Sequence, residues 1–182
     1  MTVKNRKRLV IDASVARAAG GTEKLHPDSK LCREFLLEVL KLCHSMILTP
    51  EITVEWDKHQ SRYVSTWRVN MARRGKIIHR KAEDVLNEDL RQAIEETVTD
   101  EAILKIIMKD IRLIEAALAA DFTIASCDNR VRQHLMNVAQ VLDDLEHIVW
   151  INPTIEGEGC VTWLRQGAPA EAKRCLGYRD EL

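Results

Sequence analysis

Apolar residues in this chain fall into short unbroken runs, separated by longer stretches where they recur every three or four positions. The runs 8–11 (RLVI), 46–48 (MIL), 122–125 (FTIA) and 148–151 (IVWI) read as buried strands, since a strand covered on both faces shows no polar alternation. Ile77-Ile78 reads as a further brief extended piece. Leu31, Phe35, Leu36, Val39, Leu40 and Cys43 repeat at helical period, which predicts a helix over 31–43. Thr49-Pro50 opens another, with proline near the first helical position, where its missing N–H leaves no bond unmade. The pattern carries that helix to Arg74, and Gly75 ends it. A polar helix is predicted over 87–96, and Thr99 or Asp100 can cap one over 101–108. A separate helix is expected from Asp110, as cap or opening residue, to Ala120, and a short one (NRVRQHLMNVA) after Asp128.

Strands and helices in alternation define the class as α/β: a parallel sheet of about four or five strands flanked by helices. Asn152-Pro153 stops the last strand and divides the chain into a domain, 1–152, and an extension, 153–182, expected to pack on the same domain. Trp163 and Leu164 lie there among glycines and polar residues, and one or two packed helices are expected.

Composition narrows the class further. The chain has 182 residues, of which 46% are hydrophobic, and a net charge of -1, which fits one domain with a sizeable core and excludes a mostly disordered chain. No run approaches the roughly 20 apolar residues of a membrane helix. The N-terminus is basic and then apolar, but Asp12 cuts the apolar run short of a secretory core, so a cytoplasmic protein without membrane attachment is expected. Five cysteines lack any Cys-x-x-Cys pair and six histidines lack any His-x-x-x-His pair, which argues against a zinc ribbon or helical zinc site. Reduced, packed thiols are the expectation.

The acids carry the candidate chemistry. In a parallel sheet, ligands bind beyond the carboxyl ends of the strands, most often where the strand order reverses. Asp12 directly follows RLVI, and Asp128 follows FTIA after Ser126 and Cys127. Asp110 opens the helix feeding FTIA, and Glu55 lies in the second turn of the helix after MIL. Taken singly, Asp110 and Asp128 read as helix caps, and Glu55 as part of a solvated face. Taken together, four acids from four segments converge on one rim. Such a cluster needs protonation or a cation, and hard oxygen ligands suit Mg²⁺ or Mn²⁺. Glu51, one turn before Glu55, is its rival for the same role. Ser14 and Ser126, each two residues from a rim acid, either bind a carboxylate or phosphate or cap local turns.

The segments LVIDASV, LTPEITVEW and KDIRLIEAALAADFTIASCDNRV resemble those of the PIN-domain nucleases over about residues 8 to 152. The most specific match is the linked pair of Asp110 and Asp128, with a helix, an apolar strand and Ser-x-Asp between them. The resemblance implies a metal-dependent ribonuclease whose Asp12, Glu55, Asp110 and Asp128 hold Mg²⁺ or Mn²⁺. It also implies a toxin-type endoribonuclease restrained by a small antitoxin protein. The chain departs from compact relatives in its longer middle region and its tail, and Asn129 and Arg130 stand where many relatives carry a further acid.

From Lys58 to Lys81 the chain has eight basic residues and no acid, with Tyr63 and Trp67 interleaved. Arg62, Arg68, Arg73 and Arg74 are expected to hold RNA phosphates, and Tyr63 or Trp67 to stack a base. The bland alternative is that both aromatics pack in the core. The acidic segment 83–101 could instead cover this face, in the same chain or across a homodimer. Two rivals to the nuclease remain. One is a phosphotransfer enzyme with Asp12 as nucleophile, which lacks the second acid of Asp-x-Asp. The other is a non-catalytic RNA-binding or scaffold module of the same fold.

Overall fold

A computed structural model describes residues 6–179 of the chain. The first five residues of the basic N-terminal stretch and the last three of the tail lie outside them.

Strands β1 (Arg8–Ile11), β2 (Ser45–Leu48), β3 (Ile77–His79), β4 (Thr123–Ala125) and β5 (Val149–Ile151) form one sheet in the order β3-β2-β1-β4-β5. Every pairing in it is parallel. The chain lays β1 in the centre, steps outward through β2 and β3, then crosses to the other side of β1 for β4 and β5. The reversal therefore falls between β1 and β4, and a crevice opens beyond their carboxyl ends. Leu9, Val10 and Ile11 of β1 and Met46 of β2 are fully buried, which is why these runs carry no alternation.

Ten helices flank the sheet among the described residues. Helix α1 (Ala13–Ala19), absent from the sequence reading, starts directly after β1 and buries Ala13, Val15, Ala16 and Ala19. Helix α2 (Pro27–Lys41) begins one turn earlier than its apolar repeat suggests, because Pro27 stands at its first position behind the His26 cap. The helix expected over 50–74 is two, α3 (Pro50–Asp57) and α4 (Arg62–Arg73). Ser61 makes the break: its hydroxyl accepts from the Val64 N–H at 3.1 Å and donates to the Gly20 carbonyl at 2.6 Å. Packing requires it as well. Trp56 and Trp67 are buried and stack with centroids 5.6 Å apart, whereas eleven residues of straight helix span about 16 Å.

After α5 (Ala82–Val85) and α6 (Glu88–Thr97), the two helices expected over 101–120 are one, α7 (Glu101–Leu118). Asp110 is therefore neither a cap nor an opening residue. The cap is Asp100, whose side chain accepts from the Ala102 and Ile103 N–H groups, and the buried stripe Ile107, Ile111, Ile114 runs past Asp110 uninterrupted. Glu115 fastens α6 to α7: its carboxylate accepts from the Asn87 N–H at 3.0 Å and from two Arg91 nitrogens at 2.7 and 2.9 Å.

Helix α8 (Asn129–Val138) follows β4, and α9 (Asp143–Glu146) leads into β5. The extension after Pro153 contains α10 (Cys160–Arg165), which packs on α2 and ties Arg165 to Glu38 at 2.9 Å. It then returns along β5, where the Leu176 N–H donates to the Ile148 carbonyl at 2.9 Å. The extension thus packs on the body of the sheet domain. Among the described residues, no helix is long and apolar enough to cross a membrane.

Candidate active site

Asp12 leaves the end of β1 with its N–H still donating to the Ala125 carbonyl of β4, at 2.9 Å. It stands at the N-cap position of α1, yet its side chain makes no cap bond. Its Oδ2 instead accepts from the hydroxyls of Ser14 and Ser126, the latter at 2.8 Å. Each hydroxyl is used twice. Ser14 Oγ accepts from the Cys127 N–H at 3.0 Å, and Ser126 Oγ accepts from the Asp128 N–H at 3.1 Å. Both serines therefore bind a carboxylate and brace the turn after β4 at once.

Asp128 caps α8: its Oδ1 accepts from the Arg130 and Val131 N–H groups, both at 3.0 Å. Its structural and chemical readings are compatible, because this engages only one of two oxygens. Glu55, on the second turn of α3, is exposed and accepts from Lys58 Nζ at 2.7 Å. That bond, with the nearby charges of Lys58, Arg112 and Lys109, holds its carboxyl below the usual range. Asp110, half-buried on α7, accepts no hydrogen bond among the described residues. Burial first, then the negative charge of Asp12 and more weakly that of Asp128, pushes it up to about 6, against the pull of Lys109 and Arg112.

All four acids line one cavity of about 200 Å³ beyond the carboxyl ends of β1 and β4, as does Ser14. Ser126 is buried behind Asp12. Glu51 does not line the cavity; its charge acts on Arg91 of α6, so of the two rivals Glu55 faces the shared space. The four acids share the cavity without forming a compact cluster: no group of three or more His, Cys, Asp or Glu among the described residues is set as metal ligands. Asp12, Asp128 and Glu55 each turn an oxygen to a local donor. The donor set nonetheless fits a hard divalent cation. It consists of carboxylates, and one of them, Asp110, is unpaired and raised by burial and then by its neighbours' negative charge, a repulsion that a cation would offset.

Several side chains of the basic stretch 58–81 are engaged by the fold. Trp67 is buried and donates to the Leu36 carbonyl at 2.6 Å, and the Tyr63 hydroxyl donates to the Arg33 carbonyl at 2.8 Å. Arg74 and Lys76 donate to carbonyls at the end of α2, Lys76 to those of Val39, Leu40 and Leu42. Arg68 pairs with Asp57 at 2.7 Å. These contacts fasten α4 and the turn after it onto α2 and α3, so the core reading holds for Trp67. Arg62 lines a separate groove beside Tyr63, and Arg73 is exposed. None of the four expected arginines lines the acidic cavity. The cations that do are Arg17, Lys109 and Arg112, joined by His59. The sequence carried a signal for two of them, because Lys109 and Arg112 flank Asp110 within KDIR.

Among the described residues, none of the five cysteines is joined in a disulfide. Cys127, between Ser126 and Asp128, lies 3.7 Å from Cys32 of α2, sulfur to sulfur. The hydrogen bond with the Cys127 thiol, and then burial, push Cys32 up, away from the reactive thiolate. Neither a family model, nor a curated protein, nor a solved structure matches the chain.

Proposed function

We propose that this protein is a PIN-like, Mg²⁺- or Mn²⁺-dependent ribonuclease that hydrolyses RNA phosphodiester bonds. The observation that carries the reading is the meeting of Asp12, Glu55, Asp110 and Asp128, from four separate segments, on one cavity at the point where the strand order reverses.

Asp12, Asp110 and Asp128 would hold the ion, with Glu55 at the rim. Once bound, the ion supplies an activated water and offsets charge on the departing 3′ oxygen. The chain's own contribution is orientation. Ser14 and Ser126 hold Asp12 by Oδ2, which leaves Oδ1 for the ion. The α8 cap holds Asp128 by Oδ1 and leaves Oδ2. Asp110 stands on the rigid middle of an eighteen-residue helix, without a hydrogen-bond partner to surrender.

Cleavage of a labelled RNA with Mn²⁺, with EDTA, and by the Asp110→Asn variant tests the reading. Metal-dependent cutting that the variant loses supports it. Equal cutting by the variant places the activity elsewhere. Tight RNA binding without cutting by the unaltered chain replaces it with the non-catalytic RNA-binding module.

A further inference from the structure

Three cations on the cavity are unused by the fold. Arg17 projects from α1, five residues after Asp12, while Lys109 and Arg112 bracket Asp110 on α7. None has a hydrogen bond or ion pair among the described residues. Elsewhere arginines beside acids do pair: Arg8 with Asp121, Arg91 with Glu115, Arg132 with Glu158, Arg165 with Glu38. On the cavity, three cations and four carboxylates share a confined space and stay apart, although Lys109 and Arg112 lie near enough to act on both Glu55 and Asp110.

We propose that Arg17, Lys109 and Arg112 bind the RNA phosphates on either side of the scissile bond. The assignment rests on the ribonuclease reading of the same cavity and names the residues that position its substrate. Separated charges suit this task. A cation paired directly with Asp12 or Asp110 would compete with the metal for the same oxygens. A cation held off leaves the carboxylates for the ion and keeps its own N–H donors for an anion. Arg17 and Arg112 present planar forks that grip a phosphate through two parallel bonds, and Lys109 adds a point charge. The cations come from two helices, α1 and α7, and line the same cavity as Asp12 and Asp110, so an RNA strand held by them lies against these carboxylates. These are positioning residues. They act on the phosphates flanking the reacting one, so their removal raises KM and spares kcat.

The test is binding of a short fluorescein-labelled single-stranded RNA, followed by anisotropy in EDTA across a KCl series, with cleavage kinetics in Mn²⁺ run in parallel. Arg17→Gln, Lys109→Gln and Arg112→Gln are each expected to weaken binding by about five- to tenfold and to flatten the salt slope by about 0.7. Each raises KM with little change in kcat, and Arg112→Lys restores the salt slope of Arg112→Gln. Arg62→Gln and Arg73→Gln, with cations away from the cavity, leave affinity and slope unchanged. Thermal melts identify any variant that loses its fold; the charge-retaining Arg17→Lys and Arg112→Lys then decide for their positions. Unchanged slopes in the three cavity variants, or a larger loss in the two controls, overturn the assignment. If the slopes respond while the unaltered chain cuts nothing in Mn²⁺, hydrolysis fails and the phosphate site stands. Metal-dependent cutting with unaltered KM in all three variants has the opposite meaning.

Discussion

The Ser126 hydroxyl donates to Asp12 Oδ2 at 2.8 Å and in the same position accepts the Asp128 N–H at 3.1 Å. One buried side chain at the end of β4 therefore sets the carboxylate at the end of β1 and the backbone entering α8. Ser126→Ala removes one of the two hydroxyl donors that orient Asp12 and leaves the Asp128 N–H unmatched. Loss of such an orienting contact lowers metal affinity or activity by about 10- to 100-fold. The accompanying stability loss is about 1–2 kcal/mol. Single-turnover cleavage at several Mn²⁺ concentrations, with urea unfolding alongside, measures both. Cleavage and metal dependence equal to those of the unaltered chain would show that Ser126 only braces the turn.

Asp110 reports the opposite balance. Its carboxyl, raised to about 6 by burial and by Asp12, binds a proton more tightly in the folded chain than in the unfolded one. Metal-free stability from this group is therefore greatest at acid pH and declines as pH rises through the window from 3.8 to about 6. Asp110→Asn removes that decline. In EDTA at neutral pH we expect the variant to be more stable by about 1–2 kcal/mol, less than the full shift implies because solvent screens a half-buried group. Mn²⁺ should stabilise the unaltered chain and raise the variant's Tm far less. A variant that melts lower than the unaltered chain in EDTA would refute the electrostatic account.

The strands were legible because a doubly covered strand must be apolar at every position, as Leu9, Val10 and Ile11 are. Asp12 was legible for a related reason: a residue directly after a parallel strand has only one edge of the sheet to occupy. Helix boundaries were not. Asp110 has the composition of a cap, but the Ile107–Ile111–Ile114 stripe decides the backbone there, and a cap signal is purely local. Ser61 breaks a pattern that periodicity alone carries through, and only the stacking of Trp56 on Trp67 shows why. Charge counts do not reveal partners: Lys76 donates to three main-chain carbonyls, while Arg17, an isolated cation in a short alanine-rich segment, stands on the cavity.

His44 gives the fold a pH limit away from the site. It is 1% exposed; its Nδ1 accepts from the Lys7 N–H at 3.2 Å and its Nε2 lies 2.9 Å from the Leu164 carbonyl, which it serves as donor. The neutral ring satisfies both contacts, and a protonated one loses the acceptor. Burial holds its pKa below 6.5, with the Lys76 and Lys7 charges adding to the effect and the Leu164 carbonyl opposing it. Since the folded value lies below the unfolded one, the unfolded chain takes up the proton first, and stability falls as pH drops below 6.5. Urea midpoints on both sides of that pH should show the drop in the unaltered chain. His44→Gln, which has no such proton to gain, should show less of it; equal drops would exclude His44 as the cause.

Glu115 and Arg91 form an unequal pair, with side chains 2% and 31% exposed. Arg91→Ala strands a buried carboxylate that keeps only the Asn87 N–H, and breaking a buried pair in this way costs about 3–5 kcal/mol. Replacing both partners with apolar residues, Arg91→Leu with Glu115→Met, removes the stranded charge and should recover most of that loss. The measurement is a double-mutant cycle by urea unfolding. Costs that simply add would mean that the pair contributes no coupling between α6 and α7. The functional consequence separates stability from the site. Asp110 is carried by α7 itself, more than one turn from Glu115, and none of the α6 residues lines the cavity. The double variant should therefore cleave RNA at the unaltered rate at temperatures below its melt.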